Sequence, residues 1–222
     1  MCIPTASNDD EASYKMFQEV YGDTLGCETD VLYLLDESIE QKDIAQKIAW
    51  ADLIYVGAGN SLMMMRKWRF LKVDRLLKQA AAKGTVLAGV SAGALCWFEY
   101  GHSDAMSYYK QKEVQVQEEN WDFIRVKCLG LVDRLMLCPH YDQKNRQISF
   151  QSMLQRMGGV GLGLEDYCAI QIVGDNYRIV QAKKEAKAHK VFKIRAKTLH
   201  ENINPSEKWT PISVLRRRPA SA

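Results

Sequence analysis

The stretch Gly89-Val-Ser-Ala-Gly93 contains a serine whose surroundings suit attack on a carbonyl group. It follows an apolar, strand-like run and precedes a segment compatible with a helix. This G-x-S-x-G pattern is typical of a nucleophile elbow, in which small residues allow a sharp turn that holds the serine hydroxyl clear of the sheet. A glycine-rich turn with no catalytic role can share the same short pattern. The strand, turn and helix in register favour Ser91 as a nucleophile.

A nucleophilic serine needs a base that takes its proton, and the chain has four histidines. His140 follows the apolar run Leu135-Met-Leu-Cys-Pro139, which is typical of a buried strand. His102 falls in a polar stretch that is expected to be a loop, whereas His189 and His200 lie in a lysine-rich region and are expected to face solvent. We therefore expect His140 to be the base.

A carboxylate normally fixes the orientation of such a histidine, and Glu165 and Asp166 follow the apolar run Val160-Gly-Leu-Gly-Leu164. Because successive strand residues point to opposite faces, only one of the two is expected to reach His140. Reactive groups in open α/β sheets collect beyond the carboxyl ends of the strands. Ser91, His140 and one acid can therefore meet although they are far apart in sequence.

Strand-like and helix-like segments alternate along the chain, which is typical of a mostly parallel sheet covered by helices. The predicted strands are residues 1–5, 29–35, 52–56, 85–89, 129–138, 161–165, 167–173, 177–181 and, as the last, 191–195. The predicted helices follow the capping residues 8–10 and cover residues 39–50, 61–83 and 143–157. Residues 101–120 are predicted to form a long loop or hairpin near the site.

The composition is that of an ordinary soluble domain, with 222 residues, of which 47% are hydrophobic and 26% are charged. A net charge of +3 is too small to indicate a nucleic-acid partner, and no apolar run approaches the roughly 20 residues that cross a membrane. The six cysteines include no C-x-x-C pair, so they indicate neither a disulfide framework nor a zinc site. We expect a cytoplasmic protein without a cofactor, with one domain over residues 1–215 and a solvated basic tail over residues 216–222.

Four segments in order resemble motifs of the peptidase E family, the alpha-aspartyl dipeptidases related to cyanophycinases. They are Ile3-Pro-Thr-Ala-Ser7, Val56-Gly-Ala-Gly-Asn60, Gly89-Val-Ser-Ala-Gly-Ala94 and Cys138-Pro-His-Tyr141, and the resemblance extends to about residue 173. It implies a three-layer α/β/α sandwich, flavodoxin-like and similar to class I glutamine amidotransferases, with a serine replacing their cysteine and no metal. Family members have a further strand before the first motif, so we expect an exposed sheet edge here, which a homodimer could cover.

The resemblance also implies roles for individual residues. Ser91 would be the nucleophile and His140 the base, and the family's glutamate aligns with Asp166, with Glu165 as the alternative acid. The family carries an aspartate downstream of the serine, for which Asp104 is the nearest match, although Asp104 suits an ordinary loop equally well.

The same resemblance places the oxyanion hole at the backbone N–H groups of Gly59 and Ala92. Asn60 and Arg146 are the candidate residues for binding the substrate. An aspartyl side chain in the substrate would call for a cation, which Arg146, Lys144 or Arg66 could supply, although each also suits an ordinary helix surface.

Family members of the aspartyl dipeptidase type cleave dipeptides with an N-terminal aspartate. The expected activity is therefore hydrolysis of such small peptides through an acyl-enzyme on Ser91, with His140 shuttling the proton. Two alternatives stay open. One is a cyanophycinase-like or other peptide hydrolase with the same triad and a different pocket. The other is a catalytically inactive binding or regulatory relative, against which the intact set of serine, histidine and acid argues.

Overall fold

The computed structural model of the chain describes residues 1–110, 123–195 and 197–217. The described residues divide into two units, one of residues 1–97 with 103–110 and one of residues 98–102 with 123–217. Residues 111–120 of the predicted loop and residues 218–222 of the predicted tail lie outside the described residues.

The first unit contains a parallel sheet of three short strands. The strands are β1 (Cys2–Ile3), β2 (Leu53–Val56) and β3 (Val86–Gly89), in the order β1-β2-β3. Parallel neighbours require crossover connections, and helices supply them. The helices of this unit are α1 (Glu11–Phe17), continued by a π-helical turn over Gln18–Thr24, α2 (Gln41–Trp50), α3 (Ser61–Phe70), α4 (Val73–Ala82), α5 (Ala92–Leu95) and α6 (Ser107–Lys110).

The long helix predicted for residues 61–83 is two helices, α3 and α4. Lys72 has a φ of +57°, in the left-handed region, so the α-helix cannot continue through it. Apolar residues keep a helical spacing on both sides of the break, with Trp68 buried in α3 and Val73 and Leu77 buried in α4. The spacing of apolar residues therefore predicted a single helix, whereas the backbone breaks at Lys72 and forms two helices.

The strand predicted for residues 29–35 is reduced to a single bridge. Val31 pairs in parallel with Cys2, supported by hydrogen bonds from Cys2 N to Asp30 O and from Leu32 N to Cys2 O, both 2.9 Å long. Because β1 is only two residues long, it offers no further partners for the segment. The expectation of a full strand was wrong for that reason.

The second unit is built on two sheets within its described residues. The strands are β4 (Phe98–Ser103), β5 (Ile124–Lys127), β6 (Val132–Pro139), β7 (Val160–Leu164), β8 (Cys168–Val173), β9 (Asn176–Gln181), β10 (Ala188–Ile194), β11 (Lys197–Ile203) and β12 (Thr210–Pro211). One sheet has the order β11-β10-β7-β6-β4-β5 and the other β12-β9-β8. The pairs β4·β6 and β6·β7 are parallel, whereas β7·β10 and β10·β11 are antiparallel. Helix α7 (Lys144–Met157) packs on β10 and β11, and α8 (Ser213–Arg216) packs on β7.

Three segments of this unit differ from the sequence prediction. Residues 98–103 form strand β4 where a loop was expected from residue 101, and β5 was not predicted. Strand β10 is followed by β11, so it is not the last strand. In β11, five of the seven residues are exposed and five are polar or charged, so the strand lacks the apolar alternation that predicts one.

Two glycines in β7 allow aromatic rings to lie directly on the strand. A Cβ at Gly161 would overlap the ring of Phe150, and a Cβ at Gly163 would overlap the ring of Tyr141. Both rings belong to a buried cluster with Met136, Cys138, Met153, Leu154 and Val191. This packing fixes the chain at Tyr141, next to His140.

The start of the predicted tail is part of this unit. Arg216 lies in α8 and forms an ion pair with Asp133, at 2.6 Å between Nη2 and Oδ1. Its Nε also donates to the backbone oxygen of Asp133. Arg217 is exposed, as expected of a tail.

The α/β fold class predicted from the alternating segments is confirmed. No helix among the described residues is both long and apolar enough to cross a membrane. The single-domain boundary at residue 215 stays a prediction.

Candidate active site

Ser91 lies at a sharp turn between β3 and α5 in the first unit. Its φ is +53° and its ψ is −111°, a conformation that costs a non-glycine residue on the order of 1–3 kcal/mol. Flanking glycines make the turn possible, because a Cβ at Gly93 would collide with the backbone of Val56 and a Cβ at Gly89 with the backbone of Gly93. The serine therefore lies in a sharp turn between a strand and a helix, and its role as a nucleophile stays a prediction.

The loop after β2 contains Gly59, an expected oxyanion-hole residue, and Asn60, an expected substrate-binding residue. Gly59 has a φ of +133°, and a Cβ there would collide with the backbone of Ala6, so only glycine fits. Asn60 is buried; its N–H donates to Ala6 O at 2.7 Å, and its side-chain oxygen accepts from Met63 N at 3.0 Å. The amide of Asn60 thus caps α3.

Ala92 is the first residue of α5, immediately after Ser91. The first N–H groups of a helix have no partner within the helix, so the N–H of Ala92 is a donor of the type that an oxyanion hole uses.

His140 follows β6 in the second unit and also has a left-handed backbone, with a φ of +54°. Its Nδ1 lies 2.5 Å from Oδ1 of Asp166. An ionised carboxylate only accepts, so Nδ1 is the donor of this bond; in the neutral ring Nε2 is then the nitrogen that can accept a proton. The His140 side chain is 28% exposed, so a substrate can reach it.

Glu165, the alternative acid, contacts a different histidine. Its Oε1 lies 2.7 Å from Nε2 of His189, and its Oε2 accepts from the backbone N–H of Lys187 at 2.9 Å. Asp166 and Glu165 thus point to different partners, as expected of neighbouring residues at a strand end. Within the described residues, Asp166 is the acid that pairs with His140.

The expectation that His189 faces solvent was wrong, whereas His200 is exposed as predicted. His189 is 8% exposed because β10 lies inside the sheet, between β7 and β11. The lysine-rich sequence around it suggested a surface, and no local pattern marks it as buried.

His102 was expected in a loop and is instead fully buried in β4. Its Nε2 lies 3.0 Å from Ser149 Oγ, and its Nδ1 lies 3.4 Å from Cys138 Sγ. Burial, together with the nearby positive charge of Arg146, lowers the pKa of His102 to about 3. This histidine is therefore neutral near pH 7.

The candidate cations differ in burial. Arg146, expected on a helix surface, is 4% exposed; its guanidinium lies over the ring of Phe123 at 5.0 Å, and its Nε donates to Gln143 Oε1. Lys144 and Arg66 are exposed, as expected. Arg66 lines a groove of about 570 Å³ in the first unit, together with Leu35, Met63, Lys67, Arg69, Phe70 and Tyr109.

Asp104 is half-buried in the first unit. Its backbone oxygen accepts from both the N–H and the hydroxyl of Ser107, which starts α6. These bonds are those of a turn that leads into a helix, in line with the loop interpretation of this residue. Among the described residues, no three side chains of the types that bind metals come together.

Comparison with known proteins gives consistent results. The model of Peptidase family S51 matches residues 1–180. The uncharacterized peptidase YgaJ of Bacillus subtilis (strain 168) is 29% identical over 193 residues, which cover 86% of this chain and 76% of that protein.

Two crystal structures share the fold. One, from Listeria monocytogenes EGD-e, is described as a candidate peptidase E; it superposes with a TM-score of 0.59 at 22% identity, over 82% of this chain and 85% of that one. The other is a peptidase from an acI-B1 Actinobacterium, with a TM-score of 0.63 at 17% identity, over 95% of this chain and 82% of that one. The family match over most of the chain shows that the protein belongs to Peptidase family S51.

Proposed function

We propose that the protein is a serine peptidase that hydrolyses small peptides through an acyl-enzyme on Ser91. The observation that carries the proposal is the backbone of Ser91, which has a positive φ between a strand and a helix. Strain of this kind persists only where the surrounding structure enforces it, and it concentrates at functional sites. Ser91 is half-buried, and a serine hydroxyl in such a turn is suited to attack a peptide carbonyl.

In this proposal His140 takes the proton of Ser91 and then delivers it to the leaving amine. The hydrogen bond between Nδ1 and Asp166 supports the assignment, because it fixes the ring and leaves Nε2 as the acceptor. Asp166 also stabilises the imidazolium that forms during proton transfer. The acyl-enzyme is then released by water, which His140 deprotonates in the same way.

The backbone N–H groups of Gly59 and Ala92 are the proposed donors to the oxyanion. Each such donor typically contributes about 3 kcal/mol to transition-state stabilisation. The positive φ of Gly59 supports this role, since it turns the local peptide groups in a direction that other residues rarely allow.

The proposed substrates are dipeptides with an N-terminal aspartate, following the resemblance to the aspartyl dipeptidases. Their side-chain carboxylate requires a cation, and we propose Arg146 for it, with Asn60 as a further substrate-binding residue. The near-complete burial of Arg146 supports the choice, because a guanidinium shielded from water binds a carboxylate more strongly than an exposed one. Lys144, exposed on the same helix, is the matched comparison.

The test is hydrolysis of a dipeptide panel with Asp, Glu, Asn or Leu at the N-terminus. We expect cleavage of the Asp peptides to dominate, and Ser91→Ala to lower kcat by about 10³-fold or more, because no other group replaces the nucleophile. Ser152→Ala, at an exposed serine of α7, is the control and is expected to retain full activity. Arg146→Gln is expected to remove the preference for Asp, whereas Lys144→Gln keeps it.

Equal cleavage of all four peptides would contradict the aspartyl specificity while leaving the serine mechanism in place. Cleavage that survives in Ser91→Ala would contradict the mechanism itself. A folded wild-type protein that cleaves none of the peptides would favour a different substrate or an inactive relative.

A further inference from the structure

The turn after β7 carries Glu165 and Asp166 side by side, and only Asp166 contacts His140. Both carboxylate oxygens of Glu165 are occupied elsewhere, one by the Lys187 N–H and one by His189 Nε2. We propose that Glu165 and His189 are positioning residues that hold the turn so that Asp166 meets His140. This inference rests on the proposed function, in which the contact between Asp166 and His140 orients the base.

The backbone of the turn is also bonded to Lys187, the residue directly before β10. Glu165 N–H donates to Lys187 O at 3.1 Å, while Lys187 N–H donates to the Glu165 carboxylate, so the two residues bond in both directions. Cys168 N–H then donates to Glu165 O and closes the turn. Glu165, the residue directly before Asp166, is therefore held by hydrogen bonds at four places. They are its backbone N–H, its backbone C=O and both of its carboxylate oxygens.

His189 also contacts the loop that carries His140. Its ring centroid lies 4.9 Å from that of Tyr141, the residue directly after His140. Tyr141 N–H in turn donates to Leu164 O, the residue directly before Glu165. His189 thus contacts Tyr141, next to His140, and also Glu165, next to Asp166.

The proton of His189 can be placed from its contacts. Its buried Nδ1 has no hydrogen-bond partner among the described residues, and a buried N–H without a partner would be costly. Nε2 is therefore the donor, and it donates to Glu165 Oε1. A directional bond of this kind fixes the carboxylate more narrowly than packing alone would.

A small displacement of Asp166 is enough to matter. Misplacing a catalytic group by about 1 Å can lower a rate by about 10²-fold, because the reacting groups no longer align. Asp166 is 47% exposed, so its own side chain has few contacts that could hold it. One further contact is its backbone N–H, which donates to Asp142 Oδ1 at 3.1 Å.

The test compares His189→Phe with His189→Gln. Phenylalanine fills the space but cannot donate, whereas the glutamine amide can replace the Nε2 donor. We expect His189→Phe to lower kcat about tenfold or more with KM changed less than twofold, and His189→Gln to restore most of the loss. His200→Phe, at an exposed histidine of the neighbouring strand, is the control and is expected to leave both values unchanged.

Two further measurements separate positioning from general structural damage. In the Asp166→Ala background, His189→Phe should add no further loss, because it acts through Asp166. The far-downfield proton NMR signal of the His140 Nδ1–H, identified by its loss in Asp166→Ala, should disappear in His189→Phe and persist in His200→Phe. If His189→Phe fails to give a cooperative melt, Glu165→Ala, at a half-buried position, takes its place with the same expectation.

A His189→Phe protein that keeps the downfield signal would overturn the inference. So would a loss of activity on His189→Phe that is as large in the Asp166→Ala background as in the wild type. A wild-type protein that lacks the signal would overturn it too. If the signal responds as expected but Ser91 is unreactive, the proposed peptidase mechanism fails and the positioning role stands.

Discussion

Ser91 is held in a strained conformation, and its strain is measurable without any substrate. Ser91→Gly removes the steric conflict at a φ of +53°, so we expect the free energy of unfolding to rise by about 1 kcal/mol. Ser152→Gly, in the middle of α7, is expected to lower it by about 0.5–1 kcal/mol, because glycine weakens a helix. Urea unfolding measures both changes.

A Ser91→Gly protein that is destabilised as much as Ser152→Gly would show that the elbow is not strained. The support that the backbone gives to the proposed nucleophile would then be lost.

At the scale of single residues, the sequence predicted one contact of the candidate site but not which of its charged residues are buried. The contact between His140 and Asp166 was expected from their positions at strand ends, and its catalytic role stays a prediction. The burial of His189 and Arg146 was not foreseen, because charged neighbours surround both in sequence. The burial of His189 depends on the strands that flank β10, and the burial of Arg146 depends on the residues that pack over α7. Neither can be inferred from the neighbouring residues in the sequence.

At the scale of elements, boundaries were predictable where glycine or a turn marks them. The end of α4 before Gly84 and the hairpin turn between β8 and β9 are examples. Elements without such marks were missed. The break at Lys72 has no glycine or proline, and β4 ends in Gly-His-Ser, which has the composition of a loop but lies buried beside β6.

The burial of His102 in β4 predicts how stability depends on pH. Its pKa is lowered from 6.5 to about 3, so between these values the unfolded state binds a proton that the folded state does not. The contribution of His102 to the free energy of unfolding is therefore fully present above pH 6.5 and is lost as the pH decreases toward 3. Between pH 6.5 and 4.5 this histidine lowers the free energy of unfolding by about 2 kcal/mol, since each pH unit is worth up to about 1.4 kcal/mol.

Urea unfolding at several pH values checks this expectation. His102→Gln should be less stable at pH 7, because it disturbs the contacts with Ser149 and Cys138, but its stability should fall less steeply between pH 6.5 and 4.5. His200→Gln, at an exposed histidine, should keep the slope of the wild type. An unchanged slope in His102→Gln would contradict the burial of a neutral histidine in β4.

At the scale of the whole molecule, the family match covers only one of the two proposed positioning residues. The match to Peptidase family S51 ends at residue 180, so it includes Glu165, whereas His189 lies beyond it in sequence. The family resemblance could therefore indicate Ser91, His140 and Asp166 but gave no guidance on what holds Asp166. Only the pairing of β10 with β7 brings that later segment to the turn.

The central claim is that Ser91 is an activated nucleophile, and labelling with a fluorophosphonate probe tests it most directly. Mass spectrometry of the digested protein locates the label. We predict that the wild type is modified at Ser91, that Ser91→Ala is not modified, and that Asp166→Ala reacts more slowly because His140 is less well oriented. A folded wild-type protein that stays unlabelled, or that carries the label on another serine, would contradict the account.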